Sequence, residues 1–237
     1  MPLVAVVEPC VELWGKWELR VVTQARYFLP MQVTRAGGAS GRKSTVAGVA
    51  RRAQIVEAAI GVIAELGYSQ ASFARIAERA GLSSTRLISY HFEGKDELIT
   101  QILAEVYRVM GGFMAERVRG RRSAGEALEA YIRGLVEFIA THRAEMRALM
   151  EIFLNFRGKG SYDAATDLSV LGHVEEILRR GQRDGEFREF DTRVMAVVVQ
   201  RSLDGLPFLL AAEPDRDLQG YADELVTTFR LATRGPG

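Results

Sequence analysis

The chain has 237 residues, 48% of them hydrophobic, a formal net charge of +1 and one cysteine. This is enough apolar content for a sizeable core, whereas the near-neutral total excludes a uniformly basic polyanion binder and the lone Cys10 excludes an intramolecular disulfide. His91, His142 and His173 are scattered without zinc-ligand spacing, so neither a metal nor a cofactor is expected.

The opening "MPLVAVVEPCVELWGKWELR" carries acids and tryptophans where a secretory signal needs an unbroken apolar run, which makes a cytoplasmic setting the expectation. Residues 1–45 read as an N-terminal extension, flexible or upstream of the natural start, with Met31 as a second candidate initiator. The tract "RAGGASGRKS" has the composition of a tether. Between Leu19 and Val56 there are seven basic residues and no acid, which suits an arm along a phosphate backbone or, equally, a solvated tail.

Ile55, Ala58, Ala59, Val62, Ile63 and Leu66 recur at helical spacing, and Gly67 supplies a stop. Ser72 can cap a short second helix whose buried stripe is Phe73, Ile76, Ala77 and Ala80, ended by Gly81. Ser83 can cap a third, running to about His91. Three short helices with a glycine turn between the last two fit a helix-turn-helix domain over residues 46–94.

In "GLSSTRLISYHFEGKDEL", Ile88 and Phe92 share the core-facing side, with Leu87 nearby, while Thr85, Arg86, Ser89 and Tyr90 are left facing outward. A helix of that width fits the major groove, where an arginine can bond guanine in bidentate fashion and the hydroxyls of Ser83, Ser84, Thr85 and Ser89 can reach bases or phosphates. His91, Tyr90, Arg51, Ser72 and Lys95 at the next helix start are candidate phosphate contacts. Residues 42 to 95 hold eight basic and four acidic side chains, against 19 and 23 from 96 to 237, so positive potential gathers on this module. Taken singly, Arg86 on an exposed helix is more often a solvated charge; it is the order of elements that favours recognition.

The stretch "IVEAAIGVIAELGYSQASFARIAERAGLSSTRLISYHFEGKDELI" resembles the DNA-binding domain of the TetR family of transcriptional regulators, through Gly67-Tyr68, Ser72, Ile76-Ala77, Ala80-Gly81, Ser83, Tyr90-His91-Phe92 and Lys95. It departs from the family pattern by one extra residue between Leu82 and Phe92 and by Thr85-Arg86 in place of an early glycine. The resemblance implies a homodimeric regulator, a repressor that binds a near-palindromic operator in double-stranded DNA and is released by a small molecule.

Beyond Lys95, helices are predicted at about 95–118, 124–141, 143–156, 164–183, 191–211 and 217–233, separated by "RGRRSAG", "RGKGSYD", "RDGEF" and "AEPDRD". No strand pattern long enough to assign is found outside a doubtful "LVAVV", and the fold is predicted to be all-α, with residues 95–237 as a helical ligand-binding and dimerisation domain. The stretch Val194 to Ala212 is the most apolar, yet Gln200, Arg201 and Asp204 at its centre would be costly in lipid, so no membrane partner is expected. Together with the last helix it is expected to form a four-helix dimer bundle through Val194, Val198, Arg201, Leu206, Tyr221, Leu225 and Phe229. Met110, Phe113, Met114, Met146, Met150, Phe153 and His173 are candidates to line a site for an apolar or amphipathic effector, although methionines and aromatics at helical spacing are more often plain core.

Enzyme signatures are missing: there is no phosphate-binding glycine loop, metal spacing, G-x-S-x-G elbow or Cys-His pair that could meet, and no catalytic residue is assigned. The alternative from another class is a helical sensor or adaptor that keeps the fold without operator binding.

Overall fold

A computed structural model describes residues 46–156 and 164–235; the N-terminal extension over 1–45 and the "RGKGSYD" break lie outside the described residues. Ten helices run through the described part: α1 (Val46–Leu66), α2 (Phe73–Arg79), α3 (Arg86–His91), α4 (Lys95–Val118), α5 (Ala124–Thr141), α6 (Arg143–Asn155), α7 (Ala164–Arg183), α8 (Thr192–Asp204), α9 (Leu206–Ala212) and α10 (Leu218–Thr233), with a 3₁₀ turn at Tyr68–Gln70. No strand occurs among the described residues, only an isolated bridge between Phe187 and Arg234, so the described chain is all-α as predicted.

Local chemistry accounts for most helix boundaries. The Ser72 hydroxyl accepts from Arg75 N to open α2, Ser123 accepts from Glu126 N to open α5, and Asp191 and Asp217 cap α8 and α10. Gly67 and Gly81 adopt φ of 84° and 64°, turns that a side chain would strain. Two boundaries differ from expectation. The third helix starts at Arg86, with Thr85 as its cap residue rather than Ser83, and Ser84 Oγ accepts from Arg86 N at 3.2 Å. The helix predicted over 191–211 is broken at Gly205, because Pro207 has no N–H to give Leu203 O, and the chain restarts as α9 with that proline in its first turn.

Two apolar cores follow. The first joins α1 to α3 with Leu98, Ile99, Ile102 and Val106 of α4 and Ala148, Ile152 and Phe156 at α6 and its end. The second is built from α5, α7, α8, α9 and α10, with α4 lying against it. Leu149 packs against both. The helix-turn-helix therefore shares its core with α4 and α6, which gives movements of those helices a mechanical route into it.

Buried polar groups in the second core are paired. The Tyr131 hydroxyl donates to Gln200 Oε1 at 2.6 Å, Gln200 Nε2 donates to Asp204 Oδ1 at 2.7 Å, and Arg201 Nη1 bonds Asp204 Oδ2 at 2.6 Å. Burial pushes the Tyr131 phenol well above its usual range, with the Asp204 charge adding to the effect. Residues 192–212 are long and apolar enough by composition to cross a membrane, with about a third of that window (33%) buried in the chain, and the polar relay and the break at Gly205 fall within it.

Candidate nucleic-acid interface

Helix α3 is held by two apolar anchors. Ile88 and Phe92 are fully buried against α1, α2 and α4, each worth roughly 2 kcal/mol of burial. Arg86, Ser89 and Tyr90 on its other side and Ser83, Ser84 and Thr85 in the turn leading into it are all exposed, so the polar set expected from the spacing faces outward. Leu87 stays 37% exposed beside it, and the Tyr90 ring meets His91 edge-on at 5.1 Å.

The cations divide into two groups. Arg52 and Arg79 are committed to Glu97 and Glu65 at 2.9 and 2.6 Å. Arg51 bonds only the Gln54 amide oxygen and Arg75 only Gln70. Arg51, Arg75 and Arg86 thus have no carboxylate partner among the described residues, and their charge faces outward. The modest basic excess of this module in the sequence is thus carried by outward-facing cations on α1, α2 and α3.

Lys95 departs from its expected role. Its ammonium donates to Tyr68 O at 3.0 Å and sits 4.2 Å above the Tyr68 ring centre, and burial lowers its pKa. Tyr68 N in turn donates to Glu151 Oε2 at 3.0 Å, and its ring packs near Phe156. Tyr68, two residues after α1, is therefore gripped by α4 through its carbonyl and by α6 through its amide. Ser72, also a predicted contact, is engaged as the α2 cap. His91 is half-buried, and desolvation, then Arg52 and Arg51, hold its imidazole below the ordinary pKa.

Arg52 was not among the sequence candidates. It stands in register with the apolar stripe of Ile55, Val56 and Ala59, and a charge on a core-facing stripe was the available signal. Its guanidinium bonds His91 O and Glu97 Oε1 while lying 4.2 Å over the Phe92 ring. The other Glu97 oxygen accepts from Glu93 N at 2.6 Å, and these bonds hold the carboxyl below its ordinary pKa against the opposing effect of burial.

The other two predicted sets are brought together only in part: Met110, Phe113, Met114 and Met146 meet at the second core. Met146 is buried in the second core, Phe113 lies beneath the Arg117 guanidinium at 3.2 Å and against Phe138 and His142, Met110, Met114 and Met150 are half-buried, and Phe153 and His173 are exposed. His173 borders a shallow groove of about 330 Å³ with Gly172, Glu176, Ile177 and Arg180, and Ile177 packs against the same second core as Met110, Phe113, Met114 and Met146. Of the predicted dimer residues, Leu206 and Phe229 are 0% and 4% exposed within the single chain, which makes them core and unavailable to a partner. Val194 and Val198 remain 59% and 50% exposed, with Arg201, Tyr221 and Leu225 half-buried and Phe208 and Leu231 adding to the exposed apolar surface. No cluster of three or more metal-ligating side chains occurs among the described residues.

Residues 55–102 match the family model described as bacterial regulatory proteins, tetR family. The HTH-type transcriptional regulator BetI of Cronobacter sakazakii is 30% identical over 105 residues, which are 44% of this chain and 52% of that protein. The chain spans about half the length of the first curated relatives it matches. In fold it is similar to FadR of Bacillus subtilis in complex with stearoyl-CoA, with a TM-score of 0.66 at 21% identity over 74% of this chain and 95% of that one. It is likewise similar to a transcriptional regulator of Saccharomonospora viridis in complex with choline, with a TM-score of 0.69 at 20% identity over 79% and 100%. The matched segment coincides with the helix-turn-helix and the start of α4, so this module matches the tetR family of bacterial regulatory proteins, and the helices around it share the all-α fold of those solved structures.

Proposed function

We propose that this protein is a cytoplasmic, homodimeric transcriptional regulator, and a repressor, that places α3 in the major groove of a near-palindromic operator. The observation that carries the reading is the exposed polar face of α3, with Arg86 outside any ion pair among the described residues and uncompensated Arg51 and Arg75 beside it. Arg86 and the hydroxyls of Thr85 and Ser89 read base edges, and Arg51, Ser83, Ser84, Tyr90 and His91 contact phosphates. A repressor needs only tight occupancy of its site, on the order of 10⁻⁸ to 10⁻¹¹ M for specific binding.

The second subunit covers the Val194, Val198 and Phe208 surface, and two-fold symmetry then spaces the α3 helices by about one helical turn of DNA or a multiple of it. The effector is an apolar or amphipathic molecule bound beside α4 and α7. The half-buried Met110 and Met114 and the groove at His173 support that placement, as do the stearoyl-CoA and choline held by its structural relatives. Such a ligand releases DNA only if it prefers one arrangement of the two heads.

Selection from random duplexes by the purified protein, followed by titration against salt and competitor DNA, tests the regulator. An enriched palindrome bound with steep salt dependence is the expected result; no enrichment would leave the adaptor reading in its place. A thermal-shift screen of acyl-CoAs and quaternary amines tests the effector, and the absence of any stabilising class would count against it.

A further inference from the structure

The two adjacent arginines at the start of α1 face different tasks. Arg51 is exposed and bonded only to Gln54. Arg52 is neutralised by Glu97, stacked on Phe92 and bonded to the carbonyl that ends α3. Its fork thereby ties three elements, the end of the recognition helix, α1 and the first turn of α4, at one guanidinium.

We infer that Arg52 is a positioning residue for sequence discrimination: it sets the angle of α3 in the groove without contacting DNA. The inference rests on the regulator reading above. A six-residue helix has little backbone cooperativity of its own, so its orientation is set by what grips its two sides. Ile88 and Phe92 grip the buried side, but an apolar contact tolerates rotation, whereas a planar fork bonded at two points does not. Glu97 is itself held by Glu93 N, so the fork has a fixed counterpart on α4. A shift of α4 then tilts α3 through Arg52, while phosphate attraction from Arg51 and Arg75, which stand on α1 and α2, is untouched. Base contacts are sensitive to such tilt because a bidentate bond needs its angle, and point-charge contacts to phosphate are not.

Arg52→Lys is the critical substitution, since it keeps the charge and removes the fork. Wild-type protein first selects its operator from random duplexes; failure at that step defeats the regulator reading itself and is seen before any variant is made. Arg52→Lys should then lose about tenfold or more of the ratio between operator and nonspecific affinity, the scale of a mismatched base pair, with an unchanged slope of log affinity against log salt. Arg51→Gln is the contrast: it should weaken operator and nonspecific DNA alike and lower the salt slope by about 0.9 per subunit, about 1.8 for the bound dimer. Glu97→Gln, which keeps the shape and an acceptor for Glu93 N, should reproduce the Arg52→Lys loss in milder form and serves if Arg52→Lys fails to fold. Full retention of discrimination in whichever of these variants folds would overturn the inference. So would a fall in salt slope for Arg52→Gln matching that of Arg51→Gln, because Arg52 would then be a phosphate contact.

Discussion

Substituting Val198 with lysine should separate the two subunits of the proposed dimer. Val198 is 50% exposed in the single chain and lies one helical turn from Val194, itself 59% exposed. Full burial of a valine is worth roughly 1.5 kcal/mol, so the half left uncovered contributes roughly 0.7 kcal/mol, and two-fold symmetry counts it twice. Loss of packing alone thus costs about 1.5 kcal/mol. The larger effect is the charge: an ammonium carried into a closing interface has several kcal/mol of desolvation against it unless it finds a partner. Lysine is preferred to glutamate because Arg201, three residues along the same helix, could neutralise an acid, whereas it repels a second cation. Even with relief by snorkelling, a total of about 3 kcal/mol or more is expected, a rise in dimer Kd of roughly 100-fold. Sedimentation equilibrium over a micromolar concentration range measures it directly, and operator binding should weaken in parallel because each half-site is then held alone. A variant that stays as dimeric as the wild type, with a thermal unfolding curve unchanged, would refute the placement of the interface on α8.

Other outcomes follow from single groups. Glu186 accepts from Ala124 N and Gly125 N, both at 3.0 Å, and so closes the start of α5 from sixty residues away; Glu186→Ala should cost about 2 kcal/mol, or a Tm fall of roughly 4–8 °C for a chain of this size, read by circular dichroism. Tyr131→Phe strands the buried Gln200 amide oxygen and should cost about 1–2 kcal/mol in chemical denaturation; a variant as stable as wild type would mean that water replaces the hydroxyl. His91 has its pKa lowered below 6.5 in the folded chain, so the unfolded state takes up the proton first as pH drops. Its stability contribution is therefore complete above pH 6.5 and declines as pH falls from there toward the lowered folded value. His91→Gln should flatten that part of the Tm-against-pH curve, and an unchanged slope would assign the proton to another group.

Most helix ends, the fold class and the outward polar side of α3 were legible from the sequence because their causes are local. Ser72, Ser123, Asp191 and Asp217 cap the residues that follow them, Gly67 and Gly81 close turns within three or four positions, and Ile88 with Phe92 mark the buried side of α3 by spacing alone. Pro207 was equally local evidence for the break before α9, since a missing N–H needs no tertiary context. What only the tertiary structure decided is the use of each long or charged side chain. Lys95 and Arg51 are both cations near α3, yet one is bent onto Tyr68 and the other faces solvent. Leu206 and Phe229 share helical stripes with Val198 and Leu225, but the packing of α8, α9 and α10 turns the first two into core and leaves Val198 at the surface. Arg52, Glu97, Glu151 and Glu186 meet partners between 39 and 83 residues away in the chain. Helical periodicity specifies which side of a helix a residue is on. It carries no information on which other helix arrives there, and at that meeting a charge is either left facing outward or becomes a tie within the fold.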